Sequence, residues 1–189
     1  LGLALLQAYA QAIVNLAMDL ADAEANFMKA TGASQDLART MTNAYNTTRE
    51  FGASMEETNA MGIQLYGTVT DFTFASEEQQ RAMVEVGTTL SKLGMSYGAI
   101  ASSMQIATKA MGMSFEEAGQ NMIDLEKFAE ELGVHVSQLG DDFANNGNML
   151  AKMGAQGDKA FRNLAIAAKI SGLEMSKILA ITDKFDTFE

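Results

Sequence analysis

Few residues in this 189-residue chain could carry chemistry, and their spacing decides most of what they could do. The single histidine, His135, lies in Gly133-Val134-His135-Val136-Ser137, at an expected turn, with no patterned partner for a dyad or a metal site. Cysteine is absent, which excludes a thiolate nucleophile, a disulfide framework and zinc–thiolate ligation. With one histidine and no cysteine, a conventional structural zinc site has no ligand set. Paired carboxylates, the residues of acid–base hydrolysis, occur at Glu56-Glu57, Glu77-Glu78, Glu116-Glu117, Glu130-Glu131 and Asp141-Asp142. Most follow a serine by one or two positions, where negative charge favours the start of a helix. Capping therefore accounts for them without catalysis. Asp183, Asp186 and Glu189 lack the spacing of a calcium loop. The glycines form no phosphate-binding signature. Gly94 to Gly98 has GxxxG spacing, but it overlaps an expected turn rather than a long apolar helix. Lys152, Lys159, Arg162, Lys169, Lys177 and Lys184 are scattered without interleaved aromatics, so no nucleic-acid groove is expected. No catalytic residue, cofactor-binding residue or metal ligand is assigned, and the chain reads as a non-enzyme.

The elements around these residues are helices with glycine punctuation. Phe51-Gly52-Ala53-Ser54, Leu93-Gly94-Met95-Ser96 and Met111-Gly112-Met113-Ser114 repeat one turn: apolar, glycine, apolar or small, serine. Looser copies are Leu132-Gly133-Val134 with Ser137, Met153-Gly154-Ala155, and Gly172-Leu173 with Ser176. Glycine can take the left-handed conformation that closes a helix, and the serine can accept a bond from a free N–H of the next one. Ser54 with Glu57, Ser76 with Gln79 and Ser114 with Glu117 have capping-box spacing. From Gly94 the glycines at 94, 112, 133, 154 and 172 are spaced by 18, 21, 21 and 18, a quasi-repeat of structure with little repeat of sequence.

Between turns the apolar period is helical. Phe115, Ala118, Met122, Leu125, Ala129 and Leu132 step by 3, 4, 3, 4 and 3. Tyr97, Ile100, Met104, Ala107 and Met111 do the same, as do Leu37, Met41, Ala44, Thr48 and Phe51. These seams span two heptads, too short for one long coiled coil. Helical hairpins packed as an all-α bundle are expected instead. The seam Val136, Leu139, Phe143, Asn146, Leu150, Met153 puts an amide on the apolar stripe. Asn146 could fix register in an oligomer, or Asn145-Asn146-Gly147-Asn148 could interrupt the helix; the interruption is preferred. Thr68 to Phe74 alternates like a strand but has no partner strand, and is read as the end of a helix. Proline is absent, where average usage would give roughly nine, which suits a chain helical nearly throughout. The 14 methionines suit an adaptable core or a repacking interface.

Residues 1–30 are expected to form an apolar N-terminal helix with a narrow polar stripe, and residues 31–189 a multi-helix domain of a longer chain. Gln7, Gln11, Asn15 and Asp19 recur every four positions in a stretch otherwise of Leu, Ala, Ile, Val, Met and Tyr. Such a helix either inserts or self-associates through residues 1–21, or is buried on most sides by neighbours. Residues 1–18 lack the basic region of a signal peptide. The chain begins at Leu1 and stops at Glu189 just after an apolar run, as an excerpt would. The net charge of −11 argues against non-specific binding to nucleic acid or anionic membranes. The charge is uneven: residues 1–151 carry 7 basic and 19 acidic side chains, residues 152–189 carry 6 and 5.

Towards the C-terminus, Arg162-Asn163-Leu164-Ala165-Ile166-Ala167-Ala168-Lys169, then Ile170-Ser171-Gly172-Leu173-Glu174-Met175-Ser176, then Asp183-Lys184-Phe185-Asp186-Thr187-Phe188-Glu189, resemble tail tape-measure proteins of large contractile-tailed bacteriophages. The resemblance covers residues 162–189. Over the rest only texture is similar: Ala-, Met- and Gly-rich helices without Pro or Cys. It implies a structural virion component, made in the host cytoplasm, that occupies the tail tube, sets tail length and assists genome passage at infection. It implies self-association and contacts with tail tube and baseplate hub proteins, and it brings no catalytic residue or cofactor to these positions. The frequent glycine turns depart from a long rod and suit a terminal or baseplate-proximal domain. The alternative is a membrane-active or pore-forming helical protein driven by residues 1–21.

Overall fold

The computed structural model describes residues 2–175, 177 and 178. The helices run α1 Gly2–Thr31, α2 Gln35–Thr48, α3 Met55–Thr68, α4 Glu77–Lys92, α5 Tyr97–Lys109, α6 Phe115–Leu132, α7 Val136–Asn145, α8 Gly147–Met153 and α9 Gly157–Ser171. There is no strand among the described residues. The boundaries follow the turn chemistry. Ser54 accepts from the Glu57 N–H at 3.1 Å, while the Glu57 carboxylate accepts from the Ser54 N–H at 2.7 Å. The same reciprocal pair forms at Ser76 with Gln79 and at Ser114 with Glu117. Ser34 and Ser96 cap α2 and α5 through one bond each. Every positive φ among the described residues belongs to a glycine. Gly133 (φ 65°, ψ 43°) shows why: its left-handed turn lets the Val134 N–H reach back to the Ala129 carbonyl at 3.0 Å, closing α6. The Met95 N–H reaches the Leu90 carbonyl at 3.3 Å in the same way past Gly94.

The helices pack in two rows. α1, α3, α5 and α7 form one, each against the next, and α2, α4 and α6 form the other. Sequential helices cross between rows, so the bundle is a stack of hairpins in which contacts stay near-neighbour, as in helical repeats. The expected seams face the interior. Ile100, Met104, Met122, Leu125, Met41 and Ala44 are fully buried. Some polar groups taken inside are paired, as Thr48 Oγ1 lies 3.1 Å from Thr58 Oγ1 and Gln80 donates to the Phe72 carbonyl at 2.9 Å, while Thr88 Oγ1, Ser103 Oγ and Asn121 Oδ1 are buried without a hydrogen-bond partner.

Glycines inside helices form a second structural set. A Cβ at Gly62 would overlap Met41, at Gly87 Met61, at Gly140 Met95 and at Gly157 Met111; at Gly147 it would overlap Ile106. Four of these five notches thus receive a methionine from another part of the chain. Met is unbranched and polarizable, so it can lie flat across a bare helix backbone. Four of the 14 methionines thus sit in these notches.

Three expectations are revised. Phe51 leaves the α2 seam: Arg49–Phe51 is a 3-10 turn, whose tighter winding rotates it outward, and it is 61% exposed. Ser137 is not a cap, because His135 is the last non-helical residue before α7 and Ser137 sits inside the first turn. The strand-like run ends α3 at Thr68 and then forms a 3-10 turn, Phe72–Phe74, rather than being helix end alone. The preferred reading of Asn146 agrees with the backbone. It separates α7 from α8, and its side-chain amide donates to the Asp142 carbonyl at 2.6 Å.

Candidate interaction surface

The candidate chemical residues are dispersed. His135 is exposed at the start of α7 and makes no capping bond. Glu56-Glu57, Glu77-Glu78 and Glu116-Glu117 occupy the first turns of α3, α4 and α6. The Ser54 backbone N–H, then the Lys92 ammonium, hold the Glu57 carboxyl below the ordinary 4.5; the Ser114 N–H does the same for Glu117. Glu130 and Glu131 end α6 and are exposed. Burial, with Asp141 beside it, pushes the Asp142 carboxyl above the ordinary 3.8. Asp142 lines a hollow of about 200 Å³ with Leu139, Lys169 and Met175, but Lys169 donates to the Gly133 carbonyl at 2.9 Å rather than to a carboxylate. No three His, Cys, Asp or Glu side chains gather as a metal site among the described residues. Asp183, Lys184, Asp186 and Glu189 lie outside the described residues.

The surface is more informative than these groups. α1 packs on α2 and α3 only through its C-terminal part. Phe27 is fully buried, the Ala23 carbonyl accepts from Asn59 at 2.9 Å, and the Thr42 hydroxyl donates to Glu24 at 3.0 Å. Towards its N-terminus the helix is exposed, with Ile13, Val14 and Leu16 about half open and Met18 60% exposed. Residues 7, 8 and 10–19 are exposed, with no other described helix over them. Gln11 donates to Asn15 at 3.0 Å, so the amide stripe satisfies part of itself along the helix. No helix among the described residues is long and apolar enough to cross a membrane.

No family model, curated protein or solved structure matches this chain. Its function is therefore argued from its surfaces.

Two more of them stand out. Between α1 and α3 runs a groove of about 570 Å³ with Ala23, Phe27 and Ile63 along it and Asp19, Asp22 and Glu56 at its edges. Asn59 also lines it, and its Oδ1 is buried without a hydrogen-bond partner. At the other end of the stack, α9 is fixed by its inner face. Phe161 meets Phe143 edge-on at 4.9 Å. Arg162 donates to Asp158 at 3.0 Å and to the Asp124 carbonyl at 3.3 Å, and its guanidinium lies 5.1 Å from the Phe128 ring centroid. The outer face keeps Ile166 and Ile170 in solvent, with Ile170 82% exposed, while Leu173, beyond the Gly172 cap, lines the hollow beside Asp142. Composition showed that α1 would be amphipathic. It did not show the α9 face, although Ile166 and Ile170 are spaced one helical turn apart and could have been noticed.

Proposed function

We propose that this chain is a structural segment of a phage tail, of the tape-measure kind, that helps set tail length within the tail tube and assists genome passage at infection. It is made in the host cytoplasm and works in the virion. The run from Arg162 to Glu189 that resembles such proteins supports this, together with one structural observation: the apolar face of α1 that no other described helix covers. Apolar surface of this kind is suited to burial against something beyond the described residues. Tail tube proteins, baseplate hub proteins and further copies of the chain supply such surfaces in a tail. The net charge of −11 also suits a protein that must not hold on to the DNA that follows it. Sedimentation of the purified chain, with binding assays against tail tube and hub proteins, tests the proposal. A chain that stays monomeric and binds neither would refute it.

A second reading, a membrane-active helix, draws on the same exposed Ile13, Val14, Leu16 and Met18. The helix would lie at a bilayer interface rather than cross it. Dye leakage from zwitterionic liposomes, compared with and without residues 1–21, separates the two: leakage that depends on those residues favours the membrane reading.

A further inference from the structure

We propose that copies of this chain join head to tail, the outer face of α9 in one copy lying in the groove between α1 and α3 of the next. The contact gives a geometry to the self-association proposed above and rests on that reading.

The groove asks for a particular occupant. Its edges carry Asp19, Asp22 and Glu56, and no basic residue lines it. Its floor holds the buried Asn59 Oδ1, an acceptor that nothing in the described chain satisfies; its Nδ2 is already committed to the Ala23 carbonyl. The apolar part of the floor is continuous with an interface the chain already uses. Phe27 is buried in the core, the Ala23 carbonyl accepts from Asn59 of α3, and steps of three and four along the same helix lead to Leu20, Leu16 and Ile13. A helix laid in the groove would therefore also cover the open face of α1. It should be apolar along one stripe and basic beside it.

The chain carries such a helix at its opposite end. Ile166 and Ile170, 40% and 82% exposed, lie one turn apart on the outside of α9, with the exposed Lys159 two turns before Ile166 on the same face. Its own body cannot turn this stripe inward, because Phe161 and Arg162 hold the other face on α6 and α7. The two surfaces are complementary in charge and lie on different elements. The contact is thus heterologous, the kind that propagates into a ring or an open chain rather than stopping at a symmetric pair. The two-row stack favours it, since near-neighbour packing leaves both ends free to accept another unit.

The experiment uses the whole 189-residue chain in sedimentation velocity over a range of concentration and salt. Association should weaken with salt, because the groove edges and Lys159 are solvated. Ile170→Glu on the helix side, or Asp22→Lys with Glu56→Lys on the groove side, should each weaken it by about 30-fold, as loss of a central anchor does. Circular dichroism confirms that each variant is folded, and Ile166→Glu serves as a second helix-side variant. The decisive sample is an equal mixture of helix-side and groove-side variants. Each retains one intact surface, so the mixture should form pairs and stop there. Since the chain has no cysteine, Ile170→Cys mixed with Leu16→Cys should also cross-link with a short bis-maleimide, and neither should do so alone. A parent chain that is monomeric throughout, unchanged association in the Ile170→Glu variant, or a mixture that fails to pair would each overturn the contact. Loss of tube or hub binding with pairing intact would instead count against the tail reading alone.

Discussion

The crossing of Gly140 and Met95 offers the sharpest test of how the stack is held. Met95 follows the turn glycine before α5, is 3% exposed, and lies over the bare backbone of α7 at Gly140. A Cβ at Gly140 would overlap the Met95 methyl and approach its sulfur at 3.3 Å. Alanine at Gly140 gains about 1 kcal/mol of helix propensity. Overpacking costs about 1–3 kcal/mol, and here the low end applies because the obstructing atoms end a flexible side chain. Gly140→Ala alone should therefore be neutral to destabilising by about 1 kcal/mol. Met95→Ala alone should cost about 2–5 kcal/mol, through lost burial and the cavity left behind. In the double variant the new methyl group enters that cavity, and both its propensity and its contacts count. Gly140→Ala should then stabilise by about 1 kcal/mol or more, a coupling of about 1–3 kcal/mol across the cycle. Urea denaturation of the four proteins measures it. With a slope near 2 kcal/mol/M, 2 kcal/mol moves the midpoint by about 1 M. If Gly140→Ala had the same effect in both backgrounds, within about 0.5 kcal/mol, the idea that methionine and glycine fit as knob and notch would be wrong. The consequence reaches the surface, because α7 supplies the Phe143 on which Phe161, and so α9, is seated.

Two other predictions follow from the same reasoning. Gly119, inside α6 with no atom within 4 Å of an added Cβ, should stabilise the fold by about 1 kcal/mol when changed to alanine. Gly157→Ala should destabilise it by about 1–2 kcal/mol, because its Cβ would meet the Leu150 carbonyl oxygen at 2.9 Å and backbone cannot step aside. Thermal melts rank the two, and the reverse order would refute the steric account. For Asp142, burial raises the folded-state pKa, so its ionisation opposes folding. This penalty is absent below the ordinary 3.8 and grows as pH rises through the folded value. Asp142→Asn should therefore raise the melting temperature at pH 7 and lose that advantage as pH falls towards 3.8; a gain independent of pH would contradict it.

The parts of the fold legible in the sequence are those decided within one turn of chain. A left-handed glycine followed by a serine cap involves residues adjacent in sequence, so the ends of α4 and α5 and the starts of α5 and α6 could be read directly. Even there the rule was too narrow. Thr31-Gly32-Ala33-Ser34 makes the same turn between α1 and α2, but it opens on threonine instead of an apolar residue. The notched glycines were not legible, because Gly62, Gly87, Gly140 and Gly157 take their meaning from methionines on other elements. In sequence a helical glycine looks only like a defect costing about 1 kcal/mol. Met-on-Gly crossings turn that local cost into close approach between helices.

The surfaces were half legible for a related reason. Periodicity shows that a helix has an apolar side but not whether the chain has enough helices to cover it. For α1 the supply runs out near Leu20: α2 and α3 bury Phe27, while Leu16 and Ile13 on the same stripe stay open. For α9 it runs out on the far side of the stack, where Ile170 is left in water. A stack with near-neighbour packing cannot bring these two ends together within one molecule. In the proposed head-to-tail contact, the open face of α1 and the Ile166–Ile170 face of α9 would cover each other, as they cannot within one molecule.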